Sequence, residues 1–338
     1  CEGVGMHPVV KYIIKRFGRM LLTIWIGLTI TFIVSRSLPF NPADVLVSRL
    51  TSYALQLRPE ELERMRRVIY DLFGLRDPIY VQYIKFLYGY FLGEMGPSFT
   101  YFPVKVSEII SASLPWSIFL LMQTSIISWL IGNFLGVVAA LSKHRRFTKG
   151  VEYFAMGLQP IPFAIFAIAY LIFYVVILKG SIPAGEIMRG KPIIEVMLIA
   201  FRRSIIPLTA MVIWGWMGNF LGMKSLAMKL KNEDFVEYAK LRGAPQRTIT
   251  WYVTRNAITP QFTYLLLSLG MIFTGAALVE YLFSYPGIGI LLVTSVLNAD
   301  YNLMLGIVYM SIVGVAIAAF ILDIIYPIID PRIRYPGQ

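Results

Sequence analysis

Long uncharged runs alternate with short charged segments along this chain. Most of these runs reach the roughly 20 residues that a helix needs to cross a hydrocarbon core. The pattern predicts six transmembrane helices, at 20–35, 114–142, 153–178, 204–223, 256–279 and 301–322. The first run is the shortest, but Arg19 and Arg36 at its ends can extend their charged groups to the two interfaces.

A seventh uncharged run, 281–299, is interrupted by Pro286, Gly287 and Gly289. Irregular backbone at membrane depth must be sheltered by protein or by a water-filled cavity. This segment is therefore predicted to be re-entrant or to lie at the membrane surface rather than to span the bilayer.

Composition agrees with a membrane protein, because 57% of the residues are hydrophobic and the mean hydropathy is +0.67. A soluble domain cannot bury that much apolar surface. We therefore expect an all-α integral membrane protein. Its predicted parts are an N-terminal cytoplasmic segment with the first span (1–37), an external segment (38–113) and a five-span core (114–338).

The distribution of Lys and Arg predicts the orientation, since short cytoplasmic loops are enriched in these residues. Four basic residues and no acid lie in 143–150, and seven basic residues lie in 224–255. The N-terminus is also basic, whereas 179–203, with five basic residues, is a partial exception. We expect both termini and the 224–255 loop to be cytoplasmic. Topology and anionic lipid then account for the net charge of +12, and nucleic-acid binding is not expected.

The external segment contains eight acidic and eight basic residues. Long translocated loops do not follow the charge rule, so this balance is compatible with the topology. An amphipathic helix is predicted to begin at Pro59, with acids in its first turn, and to end near Gly74. The segment is either a solvated cap without chemistry or a surface that receives a substrate-delivery protein.

The 224–255 loop is the most informative polar segment. It contains Glu237-Tyr238-Ala239, followed three residues later by the break Gly243-Ala244-Pro245. Its first half is rich in Ala and Leu and predicts a short helix, and the break predicts a sharp turn. A helix and turn held at the membrane surface offer a place for another protein to apply force.

Sequence motifs give no support for catalysis by this chain. The segment Gly185–Lys191 matches GxxxxGK, but Pro192 follows it and offers no hydroxyl for Mg²⁺. The single cysteine, Cys1, and the two histidines, His7 and His144, form no credible catalytic or metal-ligating pattern. We expect no enzyme activity, no metal and no cofactor in this chain, so energy must come from another subunit.

Two acids and several tryptophans lie close to the predicted spans. Ionisable groups at membrane depth are usually functional or paired. Because Glu280 and Asp323 lie near span ends, a solvated or salt-bridged structural role is favoured for both, and Glu280 remains a candidate for the solute path. Trp214 and Trp216 are candidates for stacking on a sugar, or alternatively are interfacial anchors. Two pairs of small residues predict close helix packing: Gly132 with Gly136, and Gly218 with Gly222.

The chain resembles the B-type permease of the dipeptide/oligopeptide family of ABC importers. The 237–243 segment is similar to the Glu-Ala-Ala-x3-Gly signature of such permeases. The pattern E-x-x-F-S-x-P-G-x-G is matched at 280–289 and D-P-R-I-R-Y at 330–335. Tyr238 departs from the first motif, whose second position is Ala, and the motif's closing Ile-x-Leu-Pro is matched only loosely at 258–260.

This resemblance implies a type I ABC importer permease in the inner membrane of a prokaryotic cell. It implies a second permease, two cytoplasmic ATPases that bind ATP and Mg²⁺, and an extracellular solute-binding protein. The coupling residues would be Glu237 to Ala239 and Gly243 to Pro245. The solute is an oligosaccharide or an oligopeptide. Segments 101–104 and 114–116 resemble a sugar-transporting branch, and spans that are rich in aromatic residues and nearly free of charge favour a neutral oligomer such as an oligosaccharide. The alternative is an ion-driven secondary transporter, which the scarcity of acids inside the spans disfavours.

Overall fold

Helices make up most of the computed structural model, which describes residues 8–37, 47–48, 58–72, 76–142, 145–181, 193–274 and 276–329. An isolated antiparallel bridge joins Pro97 and Lys105. The helices are α1 (Pro8–Ser37), α2 (Pro59–Leu72), α3 (Ile79–Phe91), α4 (Val106–Leu141), α5 (Arg145–Leu158), α6 (Phe163–Ile172), α7 (Ile193–Leu230), α8 (Asp234–Leu241), α9 (Gln246–Gly270), α10 (Ala277–Leu282), α11 (Ile288–Leu297) and α12 (Tyr301–Ile329).

Four described helices, α1, α4, α7 and α12, are long and apolar enough to cross a membrane. The span predicted at 153–178 is broken in the structure. The structure divides it between α5 and α6, which meet at an angle of 103°. Pro160 and Pro162 lie in the break, and a proline both removes a backbone donor and disfavours helix in the preceding residue. A five-residue π-helical segment, Phe173–Ile177, then extends α6.

The span predicted at 256–279 also differs. Its residues are divided among the second half of α9, the 3₁₀ turn Met271–Thr274 and the start of α10. By length and hydropathy the described residues provide four spans, or five with the bent pair, rather than six. The run is uncharged but carries polar side chains such as Asn256 and Gln261, so absence of charge overestimated its hydropathy.

Helices α4 and α7 pack tightly, as the small residues of α4 predicted. A Cβ atom on Gly132 would lie 2.5 Å from the Trp216 carbonyl oxygen, and one on Gly136 would lie 2.8 Å from the Phe220 carbonyl oxygen. Both distances are too short for a side chain, so these glycines allow the two backbones to touch. The packing prediction for Gly132 and Gly136 is confirmed.

The second small-residue pair behaves differently at its two positions. A Cβ on Gly218 would meet nothing within 4 Å in the described part of the chain, whereas one on Gly222 would lie 3.0 Å from Gln261 Nε2. The Gln261 carbonyl also accepts a 2.8 Å hydrogen bond from Trp129 Nε1, which ties α9 to α4. Close packing is therefore confirmed at Gly222 and is wrong for Gly218.

A separate aromatic cluster joins α3 to α1 and α12. The Phe32 ring lies 5.3 Å from Tyr83 and 5.4 Å from Phe86, and Tyr90 makes an edge contact with Tyr309 at 5.1 Å. Such contacts stabilise beyond the burial of their area. They fix α3 against the C-terminal half of α1 and against α12.

Helix α2 begins at Pro59 with Glu60 and Glu61 in its first turn, as predicted. Helix α4 begins at Val106, so the predicted boundary between 113 and 114 falls inside a helix. Several residues singled out in the sequence lie outside the described residues: Cys1, His7, Gly74, His144, Gly185–Lys191 and 330–335.

Candidate functional site

The short helix α8 lies between the ends of α7 and α9, at the position that the loop pattern predicted. Val236 and Ala239 point inward and are buried, at 0% and 7% exposure. Val236 packs in an apolar cluster with Ala140 of α4 and Val253 of α9. These buried side chains hold α8 against the bundle, and its other side chains face away from the bundle.

The opposite face of α8 is exposed and partly apolar. Phe235, Tyr238 and Leu241 are 39%, 61% and 82% exposed. The Arg242 guanidinium lies 5.4 Å from the centre of the Tyr238 ring, which holds this residue along the helix surface. Glu237 is exposed on the same helix. Exposed large apolar side chains beside charged ones are typical of a surface that binds another protein.

The end of α8 explains the spacing of the Ala-x3-Gly motif. Gly243 has a φ of +71°, a conformation that costs other residues roughly 1–2 kcal/mol. Its N–H donates to the Lys240 carbonyl at 2.9 Å, and the N–H of Ala244 donates to the Ala239 carbonyl at 3.0 Å. This pair of bonds is the Schellman motif, in which a glycine ends the helix. Ala244 also packs against the apolar cluster that contains Val236.

The turn then leads directly into α9. Pro245 precedes the first residue of α9, and its carbonyl accepts from the N–H of Thr248 at 2.9 Å. A Cβ on Gly243 would meet nothing within 4 Å in the described structure. Glycine is therefore needed for its backbone conformation, not for space. Hydrogen-bonded turns join α8 to α7 on one side and to α9 on the other.

Glu280 of α10 forms a second, buried site beside Ser117 of α4. Its side chain is 0% exposed. The carboxylate accepts hydrogen bonds from Ser117 Oγ at 2.7 Å and from the backbone N–H groups of Gly289, Ile290 and Ala276 at 2.5, 3.3 and 3.4 Å. Two of these donors lie in the first turn of α11, where a negative group is favoured. Glu280 thus caps α11, so the expectation that it is solvated or salt-bridged is wrong.

The two glycines of the E-x-x-F-S-x-P-G-x-G block make this approach possible. A Cβ on Gly287 would collide with the Glu280 carboxylate and Ser117 Oγ, and one on Gly289 would lie 2.5 Å from Ala277 Cα. Ser117 Oγ also accepts a 2.8 Å bond from the N–H of Ile288. The block therefore encodes a compact hydrogen-bonded unit that connects α10, α11 and α4.

A second buried carboxylate, Asp300, was missed by the sequence analysis. It is 0% exposed and lies just before α12. Its side chain accepts from the N–H of Leu303 at 3.1 Å and of Thr100 at 2.8 Å, and is also hydrogen-bonded to Ser98 Oγ. Asp300 caps α12 and fixes the loop before α4. Its position three residues before Leu303 was the only local signal, and the contacts with Ser98 and Thr100 are remote in sequence.

The two tryptophans named as candidates for the solute path, Trp214 and Trp216, pack against one apolar cluster of α5 and α7. Trp214 donates to the Ile161 carbonyl at 3.2 Å, and Trp216 stacks on Phe154 with a ring separation of 6.4 Å. Both therefore brace α7 against the bent α5–α6 pair. A cavity of about 360 Å³ lies between α4, α7 and the 3₁₀ turn, and neither tryptophan nor Glu280 lines it. Their role in a solute path stays a prediction.

Ion pairs connect helix ends. Asp323 Oδ2 lies 2.8 Å from Arg16 Nη1, which confirms the salt-bridged role for Asp323. Lys224 at the start of the basic loop pairs with Glu152 on α5. In the part of the chain that the structure describes, no cluster of three or more His, Cys, Asp or Glu side chains has the arrangement of a metal site.

Comparison with known proteins places these features in a family. Residues 132–335 match the family model described as "Binding-protein-dependent transport system inner membrane component". The oligopeptide transport system permease protein OppB of Haemophilus influenzae is 30% identical, over 97% of this chain and 100% of its own length. AppB, an oligopeptide transport system permease protein of Bacillus subtilis, is 28% identical over 96% of this chain and 99% of its own length.

A third relative is the dipeptide transport system permease protein DppB of Bacillus subtilis. It is 29% identical over 96% of this chain and 98% of its own length. The 280–289 block and the helix-turn at 234–245 lie within the region that the family model matches. The chain is a multi-pass membrane protein that belongs to the binding-protein-dependent transport system inner membrane components, among the B-type permeases of the dipeptide/oligopeptide family of ABC importers.

Proposed function

We propose that this chain forms, with a second permease, an ATP-driven import pathway for short peptides, and that α8 is its contact with a cytoplasmic ATPase. The observation that carries this proposal is the two-sided arrangement of α8. Val236 packs it against α4, α7 and α9, while Phe235, Tyr238 and Leu241 remain exposed. A partner that binds the exposed face can therefore move the bundle as a unit.

We assign the binding of ATP and Mg²⁺ to two partner ATPases. The delivery of solute is assigned to an extracellular binding protein. This chain contributes no catalytic residue.

We also propose that both termini and α8 lie in the cytoplasm, and the seven Lys and Arg residues of 224–255 support this orientation. Single cysteines at positions 60 and 146, in a chain lacking Cys1, test this orientation. An impermeant thiol reagent should label position 60 in intact cells and position 146 only in opened ones. Labelling of both positions from the same side refutes the orientation.

Peptides are preferred over oligosaccharides for two reasons. The relatives described above are named for oligopeptide or dipeptide transport. In addition, the aromatic side chains that suggested a sugar path make intramolecular contacts: Trp216 stacks on Phe154, and Trp116 makes an edge contact with Tyr285 at 5.7 Å. Heating the cognate binding protein with a peptide panel and a sugar panel tests this choice. Stabilisation by sugars alone would reverse it and leave the importer assignment intact.

The role of α8 is tested by activity in a reconstituted complex. Leu241→Gln removes the most exposed apolar side chain of α8 without touching the buried face. We expect basal ATP hydrolysis to persist and its stimulation by loaded binding protein to be lost. Leu297→Gln is the matched control, because Leu297 is 66% exposed at the end of α11, away from α8. Equal stimulation in wild type and Leu241→Gln would remove α8 from the coupling mechanism.

A further inference from the structure

A groove between α1 and α12 is a further candidate binding site. It encloses about 540 Å³ and is lined at one end by Arg16 and Arg19 and along its length mainly by apolar residues. The two helices run antiparallel here, since Arg16 pairs with Asp323 at one end and Gly27 lies against Ile312 at the other. The groove therefore has a charged mouth and an apolar interior.

The length of the groove matches one leaflet of a bilayer. From Arg16 to Gly27 the helix rises about 16 Å, at about 1.5 Å per residue. The hydrocarbon core is roughly 30 Å thick, so the groove extends from one interface to about the midplane. One acyl chain of a lipid in that leaflet would cover it.

The polar atoms inside the groove are already satisfied. Thr23 Oγ1 donates to the Arg19 carbonyl at 2.9 Å, and Ser311 Oγ donates to the Ile307 carbonyl at 2.9 Å. These hydroxyls do not require a polar occupant. The interior therefore suits a hydrocarbon chain rather than a hydrated solute.

The charge at the mouth specifies the head group. Arg16 is paired with Asp323, and both side chains are about 30% exposed. Arg19 is exposed at the same end and adds a positive charge beyond that pair. A basic group at the membrane surface favours an anionic lipid by about 1 kcal/mol.

We propose that the groove between α1 and α12 binds an anionic phospholipid of the cytoplasmic leaflet, with its phosphate at Arg19 and one acyl chain extending toward Gly27. The leaflet follows from the proposed orientation. The lipid would fill the groove between the two helices and so stabilise their packing. This site is separate from α8 and from the cavity beside α10.

Thermal unfolding of the full-length chain in a neutral detergent tests the site, without ATPase or transported solute. Phosphatidylglycerol should raise the midpoint at lower concentration than phosphatidylcholine of the same chain length. Arg19→Gln should raise the phosphatidylglycerol concentration for half-maximal stabilisation about fivefold, the equivalent of the charge contribution above. Lys15→Gln is the charge control, because Lys15 is exposed one residue from Arg16 but does not line the groove.

A second pair of variants tests the acyl-chain part. Ala319 lines the groove, and Ala319→Trp should fill it and abolish the difference between the two lipids. Ile317, also exposed on α12, does not line the groove, so Ile317→Trp should keep the difference. Equal effects of the two lipids on the wild type would overturn the proposal. So would equal losses in Arg19→Gln and Lys15→Gln, or full stabilisation by glycerol phosphate, which has no acyl chain.

Discussion

Replacement of Gly243 by alanine should loosen the turn that ends α8. Gly243 has a φ of +71°, and the left-handed conformation costs an L-residue roughly 1–2 kcal/mol. Alanine recovers roughly 0.4–1 kcal/mol by restricting the unfolded chain. The net cost to the closed turn is about 1 kcal/mol, or about a fivefold increase in its open population. Steric overlap adds nothing, because a Cβ there meets no described atom within 4 Å.

Hydrogen exchange of the amide of residue 244 measures this opening directly, since that N–H donates to the Ala239 carbonyl across the turn. We expect about fivefold faster exchange in Gly243→Ala. Gly243→Asn should show a smaller effect, because Asn tolerates the left-handed conformation better than Ala. Gly243→Pro should show a larger one, because it also removes the N–H that bonds to Lys240.

Gly150 provides the matched control within α5. Its Cβ position is also open, but Gly150 is helical with no positive φ. Gly150→Ala should therefore leave exchange at residue 244 unchanged and stabilise α5 slightly. Unchanged exchange in Gly243→Ala, or equal changes in the two variants, would refute the conformational explanation of the Ala-x3-Gly spacing.

The remaining predictions concern stability of the detergent-solubilised chain. Glu280→Gln should destabilise by about 1–3 kcal/mol, because it replaces a charged acceptor of two α11 N–H groups, and an unchanged unfolding midpoint would contradict the capping role. Gly132→Val should lower the midpoint by forcing α4 from α7, whereas Gly218→Val, in open space, should have little effect; equal effects would contradict the packing. Asp300→Ala should expose the 98–105 loop to proteolysis, and unchanged cleavage would contradict its anchoring.

Local features of the chain were readable from sequence. Pro59 and its following acids marked the start of α2, and the Ala-x3-Gly spacing marked the end of α8. These signals act through backbone bonds between near neighbours, so few alternatives compete with them. The basic loop and the small residues of α4 were similarly informative.

Features that depend on remote contacts were not readable. Ser117 meets Glu280 across 163 residues, and Ser98 meets Asp300 across 202. No local sequence pattern predicts contacts between residues so far apart in the chain. Pro160 and Pro162 are visible in the sequence, but the uncharged run around them is long enough for one span, so its length alone does not reveal the bend. At 256–279 the absence of charge suggests a span, but uncharged polar residues such as Asn256 and Gln261 lower the hydropathy of the run.

The central claim is that the exposed face of α8 contacts a cytoplasmic ATPase. A photoreactive side chain at position 241 of the assembled transporter tests it most directly, with position 297 as the control. We predict that position 241 crosslinks to an ATPase subunit, that the yield changes when ATP is bound, and that position 297 gives no such product. Crosslinking to the ATPase from position 297 and not from position 241 would contradict the account.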